Sequence, residues 1–399
     1  MIQCIWLAAT IIAGTTPSLE VLISHTQSWQ SSVASVDISS FDLGALLAED
    51  ECVQLVNNSF ADTSDETLRT VACTDKRVVV LTEGEVTRTI ALGGFPVFAA
   101  YSSPSGRYVV VHAGHNLPSE PRAMRINTET GEKVEFSTHP DGPPDAPWLQ
   151  VHDDGSTAAR IGDDVWLLDE DLNLVGNSET IGLKHPTYLS SSENGQVNFV
   201  FDDGYKLFDG HGGMIGHLLV EGIEGVGGAS SVPTSHPEMS SDGSIVLVPL
   251  HCGQLLIDGI SGRLLAKDLN YGGQTGCVSS GGEYIAYTQD ALAPAPGAWF
   301  LQIAEKASFL DGRPPSVRLS VRPHPIALAR DGTTLVGVFD TSTNTTKYMV
   351  LDHELTPIYL SETMCGMQGY GADISETGRR VVHQSTESGV RWRFTVIGL

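Results

Sequence analysis

Residues 99–111 read AAYSSPSGRYVVV: small residues, a tight Ser-x-Gly turn, then an unbroken apolar strand. Such a run on either side of a glycine turn is the signature of a β-hairpin with one strand fully buried. The pattern returns along the chain. It recurs as WLQVHDDGSTAARI (148–161), TYLSSSENGQVNFVF (187–201), EMSSDGSIVLV (238–248), CVSSGGEYIAY (277–287), IALARDGTTLVGV (326–338) and ADISETGRRVVH (372–383). The turn glycines are Gly106, Gly155, Gly195, Gly243, Gly282, Gly332 and Gly378, separated by 49, 40, 48, 39, 50 and 46 residues. A weaker eighth copy, SDETLRTVACT, begins at Ser64.

Each unit carries a second hairpin. In MRINTETGEKVEF, VWLLDEDLNLVG, YKLFDGHGGMIGHL, QLLIDGISGRLLA and YMVLDHELTPIYL, a strand ends on Asn127, Asp169, Asp209, Asp258 or Asp352 before a short turn. Asn and Asp open such turns by bonding the backbone two residues on. Four strands per unit of about 45 residues, repeated some eight times, predict an all-β propeller. Eight blades is the favoured count and seven the alternative; a pair of β-sandwiches is the competing fold. The last unit, ending RWRFTVIGL, lacks a fourth strand, and the segment Ser32–Ser39 is expected to supply it and close the ring.

The SSPSGRYVVV and SSDGSIVLV strings resemble the blade motif of TolB-like, YVTN-like and WD40-like propellers. INTETGEKV and IDGISGRLLA resemble the repeats of quinoprotein-like (PQQ-type) eight-bladed propellers. These motifs mark turns, which propellers of unrelated activity share. The chain has no adjacent cysteine pair and no repeat-ending tryptophan, so the resemblance does not extend to a PQQ-dependent dehydrogenase. The WD40 Trp-Asp dipeptide is missing too.

The expected organisation is a signal peptide over 1–16, an N-terminal segment over 17–50 and the propeller over 51–399. Met1–Gly14 is apolar but too short to span a bilayer, and small residues follow it, as before a cleavage site. It lacks a leading Lys or Arg, and the competing reading is a buried first strand. No other stretch is apolar enough for a transmembrane helix, so the expected location is extracytoplasmic. Under export, Cys52 with Cys73 and Cys252 with Cys277 are the candidate disulfides; none of the six cysteines forms a C-x-x-C pair. Asn57-Asn58-Ser59 and Asn344-Thr345-Thr346 match the N-glycosylation pattern. The net charge of −25 argues against nucleic acid as a partner.

In a propeller, first-to-second and third-to-fourth connections share one face. Here these are tight, while His115–Ala123, His139–Ala146, Glu221–Ser235, Asp290–Gly297 and Thr341–Lys347 fall on the other face, the expected binding surface. Three first strands on that side are expected to begin with His-Pro, at His185-Pro186, His236-Pro237 and His324-Pro325, with the turns Asp163-Asp164 and Asp202-Asp203 near by. Proline at a strand's start costs no ladder bond, which explains the prolines without function. The candidate ligand-contacting residues are therefore His185, His236, His324, Asp164, Asp202 and Asp203. No cofactor is predicted; imidazole with carboxylate leaves a divalent cation as the open alternative. No Gly-x-Ser-x-Gly elbow or other catalytic signature is present. The leading expectation is a non-catalytic exported scaffold holding a protein, peptide or glycan. The alternative is a propeller-type lactonase, lyase or hydrolase with a His/carboxylate site at the channel mouth.

Overall fold

A computed structural model of the chain describes residues 38–48, 50–60, 66–113, 122–137, 148–161, 164–219, 223–226, 232–269, 272–290, 299–310, 316–319, 322–340, 343–361, 364–365, 372–385 and 393–399. They form eight antiparallel blades, each built on a path of four strands running outward from the ring axis. The inner strands are Val53–Phe60, Ala99–Ser102, Trp148–Val151, Tyr188–Ser191, Glu238–Met239, Gly272–Val278, Arg322–Leu328 and Asp373–Ile374, which number blades 1 to 8. The propeller expectation holds, with eight blades rather than seven.

The repeat is written in its turns. All seven expected turn glycines have positive φ, between 69° and 93°. In blades 2, 4, 5, 6 and 8 a serine three residues earlier turns its hydroxyl back, and its Oγ accepts the N–H of the second strand's first residue at 3.0–3.1 Å. The eighth turn has no glycine. Glu66 takes the place, at φ +48°, and stands two residues before Leu68 just as the glycines precede their second strands. A non-glycine residue there is strained and needs outside support. Blade 8 gives it, because Arg380 donates to the Glu66 carbonyl at 2.7 Å and Thr377 Oγ1 bonds the Glu66 carboxylate. In the second hairpins, Oδ1 of Asn127, Asp169, Asp209, Asp258 and Asp352 each accepts two backbone N–H groups of the following turn.

The core is distributed. One apolar cluster fills each seam between neighbouring blades. Val71, Cys73, Val109 and Met124 lie between blades 1 and 2, for instance, and Leu301, Ile303, Val336 and Met349 between blades 6 and 7. Each blade therefore buries both faces only in company, as expected of radial repetition. The closing seam joins Val382, Phe394 and Val396 of blade 8 to Leu68, Ala72, Val79 and Leu81 of blade 1, with Leu43 wedged into it. Ring closure comes from Ile38–Asp42, which pairs antiparallel with Arg393–Gly398 as the outer strand of blade 8. The closing strand thus begins near the end of the expected segment; Ser32–Asp37 and the expected signal peptide lie outside the described residues. No described helix is long and apolar enough to cross a membrane.

The proposed disulfides are not formed: Cys52, Cys73, Cys252 and Cys277 are all thiols. Cys52 is exposed and meets Asp75, not Cys73, across the hairpin, its N–H donating to Asp75 Oδ1 at 2.9 Å. Cys73 is buried in the blade 1–2 seam, and burial pushes its thiol up to about 12. Cys252 sits at a hairpin of blade 5, whereas Cys277 points into the seam between blades 6 and 7. The first glycosylation match fails on geometry as well. Asn57 lies in the inner strand of blade 1, and its amide donates to the carbonyls of Ser103 and Pro104.

Candidate functional site

The two faces of the ring differ in how they are tied. In blades 2 to 8 the first-to-second connection is five residues long, and blade 1 uses seven, 61–67. The longest third-to-fourth connection is ten residues, 306–315, against nineteen for 219–237 on the opposite face. The short turns are also bonded to one another. Ser59 Oγ donates to the Ser105 carbonyl, Ser105 to Asp153 Oδ1, and the Asp153 N–H to the Glu193 carbonyl. Further round, the Ser241 N–H donates to the Ser280 carbonyl, Ser280 Oγ to Glu376, and the Arg330 N–H to the Glu376 carbonyl. Arg380 completes the belt by gripping Glu83 with two contacts of 2.8 Å. This cross-blade belt joins residues one repeat or more apart in the chain, and no local sequence pattern foretells it.

The loop-rich face carries the candidate residues, which the ring places in separate blades. His185 is exposed before the blade 4 inner strand, His236 is half-buried before that of blade 5, and His324 is exposed within that of blade 7. His185 and His236 precede their inner strands by three and two residues, whereas His324 lies inside that of blade 7, opposite Gly337. Among the described residues, no group of three or more His, Cys, Asp or Glu side chains is placed to hold a metal ion.

The carboxylates serve the scaffold. Asp164 accepts from Trp166 Nε1 at 3.1 Å in blade 3, while its neighbour Asp163 lies outside the described residues. Asp202 and Asp203 clasp the buried Lys206 at 2.7 and 2.8 Å. Burial alone would raise the Asp202 carboxyl. Lys206 and the N–H groups of His185 and Lys184 outweigh it and hold the group below the usual carboxylate range. Asp202 thereby fixes the backbone that presents His185. This ion pair satisfies its buried charges, the condition under which such groups are tolerated.

Two groups absent from the sequence reading stand out in the channel. Glu238 and Asp373 each begin a two-residue inner strand, in blades 5 and 8, and each lies five residues before its turn glycine. They therefore occupy the same height. Glu238 is exposed, while Pro237 and Ser240 on either side of its strand are buried. Enclosure by protein pushes the Glu238 carboxyl up to about 8. Asp373 is raised to about 7, first by burial and further by Glu193, while the N–H of Ile374 opposes the shift. At the mouth above Glu238, Tyr188 meets His236 edge-on, ring centroids 5.5 Å apart, at equivalent positions of blades 4 and 5. Burial, with a smaller contribution from Arg160, lowers the His236 pKa and favours the neutral imidazole. Arg160 is itself spent on the carbonyls of Thr187 and Pro186.

No family model and no curated protein matches the chain. Solved structures do. It is similar over 86% of its length, and 84% of the other chain, to a crystal structure of a eukaryotic initiation factor, with a TM-score of 0.53 and 13% identity. It is similar over 87% of its length, and 97% of the other chain, to the computationally designed Ika8 protein, with a TM-score of 0.54 and 14% identity. At such identities the likeness is one of fold, and fold does not carry function.

Proposed function

We propose that this protein is a non-catalytic, exported binding scaffold whose loop-rich face holds a protein, peptide or glycan ligand. The carrying observation is the asymmetry of the ring. One face is braced by turns bonded blade to blade, while the other gathers the longest connection and the half-exposed Tyr188 and His236 around the channel mouth. Variable loops on a rigid frame are where recognition concentrates. The alternative, a metal-assisted lactonase, lyase or hydrolase, needs converging ligands, and the three imidazoles come from three blades, 4, 5 and 7. The test is a panel of peptides and oligosaccharides screened against the wild-type chain and against two variants. One carries His185→Ala, His236→Ala and His324→Ala; the other carries Asp154→Ala and Glu354→Ala in the braced turns. Binding lost in the first and kept in the second supports the scaffold. Hits indifferent to the first variant, or hydrolysis of a panel member, overturn it.

A further inference from the structure

We propose that the loop-rich end of the seam between blades 5 and 6 is a sugar subsite, where the Gln254 amide grips two neighbouring hydroxyls of a neutral pyranose beside Asp268 and Phe300. This rests on the scaffold reading and names its ligand chemistry. The seam begins apolar, with Leu256, Ala266, Ile285, Tyr287 and Ala304 packed together. In blade 5 Leu256 pairs with Ala266, and Gln254 with Asp268. In blade 6 Ile285 pairs with Ala304, Tyr287 with Gln302, and Gln289 with Phe300. Side chains two residues apart share one face of a sheet. Gln254, Asp268, Gln289, Gln302 and Phe300 therefore line the same seam, towards the end where the second strand of blade 6 gives way to its long connection. Three of the four buried glutamines among the described residues are gathered here.

Hydrogen bonds tie the cluster together across the seam. Gln302 Nε2 donates to Gln289 Oε1 at 2.6 Å, and Gln289 Nε2 donates to Asp268 Oδ2 at 2.9 Å. The Tyr287 hydroxyl stands 2.5 Å from Gln302 Oε1 and 3.1 Å from Asp268 Oδ2; burial, then Asp268, raise it far above the usual phenol range, so it stays protonated. Gln254 is left out of this chain. Its side chain is fully buried opposite Asp268, and neither Oε1 nor Nε2 has a hydrogen-bond partner among the described residues. A buried amide with both ends unmet is costly and calls for a partner. That partner must present a donor and an acceptor side by side. A trans peptide bond carries its N–H and C=O on opposite edges and cannot meet both ends. Two neighbouring hydroxyls can, because each donates and accepts at once. Half-buried Phe300, opposite Gln289, adds apolar surface for the C–H face of a sugar ring, which a primary carboxamide lacks. The net charge of −25 disfavours acidic sugars, so the ligand is neutral.

The probes are the methyl glycosides of glucose, galactose, mannose and xylose, titrated against the full chain by saturation-transfer NMR, with N-acetylglutamine amide beside them. At least one glycoside is expected to bind saturably. Gln254→Leu removes both ends of the amide and suits the apolar seam, so the free protein should melt no lower than wild type while glycoside binding weakens about tenfold or more. Phe300→Leu leaves every amide in place and should weaken it severalfold, whereas Glu354→Gln, on an exposed turn of the braced face, changes it less than about twofold. Binding of none of the four glycosides, binding indifferent to Gln254→Leu, or the carboxamide bound in their stead overturns the subsite. Should Gln254→Leu melt lower than wild type, Phe300→Leu decides, and indifference to it is equally fatal. A ligand from the panel above that depends on the loop-face histidines but not on Gln254 leaves the scaffold standing and removes the seam subsite alone.

Discussion

Leu43→Ala tests how the ring is closed. Leu43 follows the N-terminal strand, is fully buried, and fills the seam between blades 8 and 1 beside Phe394, Val396, Leu68 and Leu81. Removing a fully buried leucine side chain from a packed seam costs about 2–5 kcal/mol. A value near 3 kcal/mol is expected because neighbours on two sides are held by β-ladders and cannot collapse into the space. In urea the midpoint should fall while the slope m is unchanged. The location of the damage is the sharper readout. If the closing seam opens as a unit, amide exchange of Arg393–Gly398 should quicken by roughly a hundredfold, the kinetic equivalent of about 3 kcal/mol. Leu189→Ala, equally buried but in the seam between blades 3 and 4, should cost a similar amount without quickening those amides. A loss below about 1 kcal/mol for Leu43→Ala, or unchanged exchange in 393–398, would refute the closure described here.

Further outcomes follow from single sites. His152 stands where five of the other turns carry a serine; burial holds its imidazole down to about 4, although Asp154 and Asp153 pull the other way, and Nδ1 lies 2.7 Å from Ser156 Oγ. A depressed histidine contributes stability above its unfolded pKa of about 6.5 that is lost as pH falls towards its folded value. The wild type should therefore lose ~2 kcal/mol relative to His152→Ser between about pH 7 and 4.5, and pH-resolved urea melts that run parallel would contradict this. Gln254 is fully buried and neither amide atom has a hydrogen-bond partner among the described residues. Gln254→Leu should raise the unfolding free energy by ~1–3 kcal/mol, and a lower one would reveal a hidden partner. Lys206→Met strands the Asp202 carboxylate, so a cost of about 3–5 kcal/mol is expected in thermal or urea unfolding. A maleimide applied to the native chain should modify Cys52 at once and spare Cys73 and Cys277 until denaturant is added; early labelling of Cys277 would place it outside its seam.

The repeat was legible because its signals are local. A turn glycine at positive φ and an Asp or Asn bonding N–H groups two to four residues ahead are completed within five residues, so Gly106 or Asp258 announces its hairpin from the string alone. From their spacing came the blades, their strand number and the tight face. What lay beyond reach depends on neighbours a full repeat or a full ring apart. Glu66 left the eighth copy only weakly legible, since its strained backbone takes the place of a glycine and is supported by Arg380 and Thr377 from the other end of the chain. The cysteine pairs looked plausible along the strands, but alternation turns Cys73 into a seam while Cys52 stays at the surface. The His-Pro pairs looked equivalent along the chain, but His324 lies inside its inner strand while His185 and His236 precede theirs. Nothing in the strings around Glu238 and Asp373 marks them out; both open two-residue inner strands, and the burial that raises their carboxyls exists only once the blades have closed into a ring.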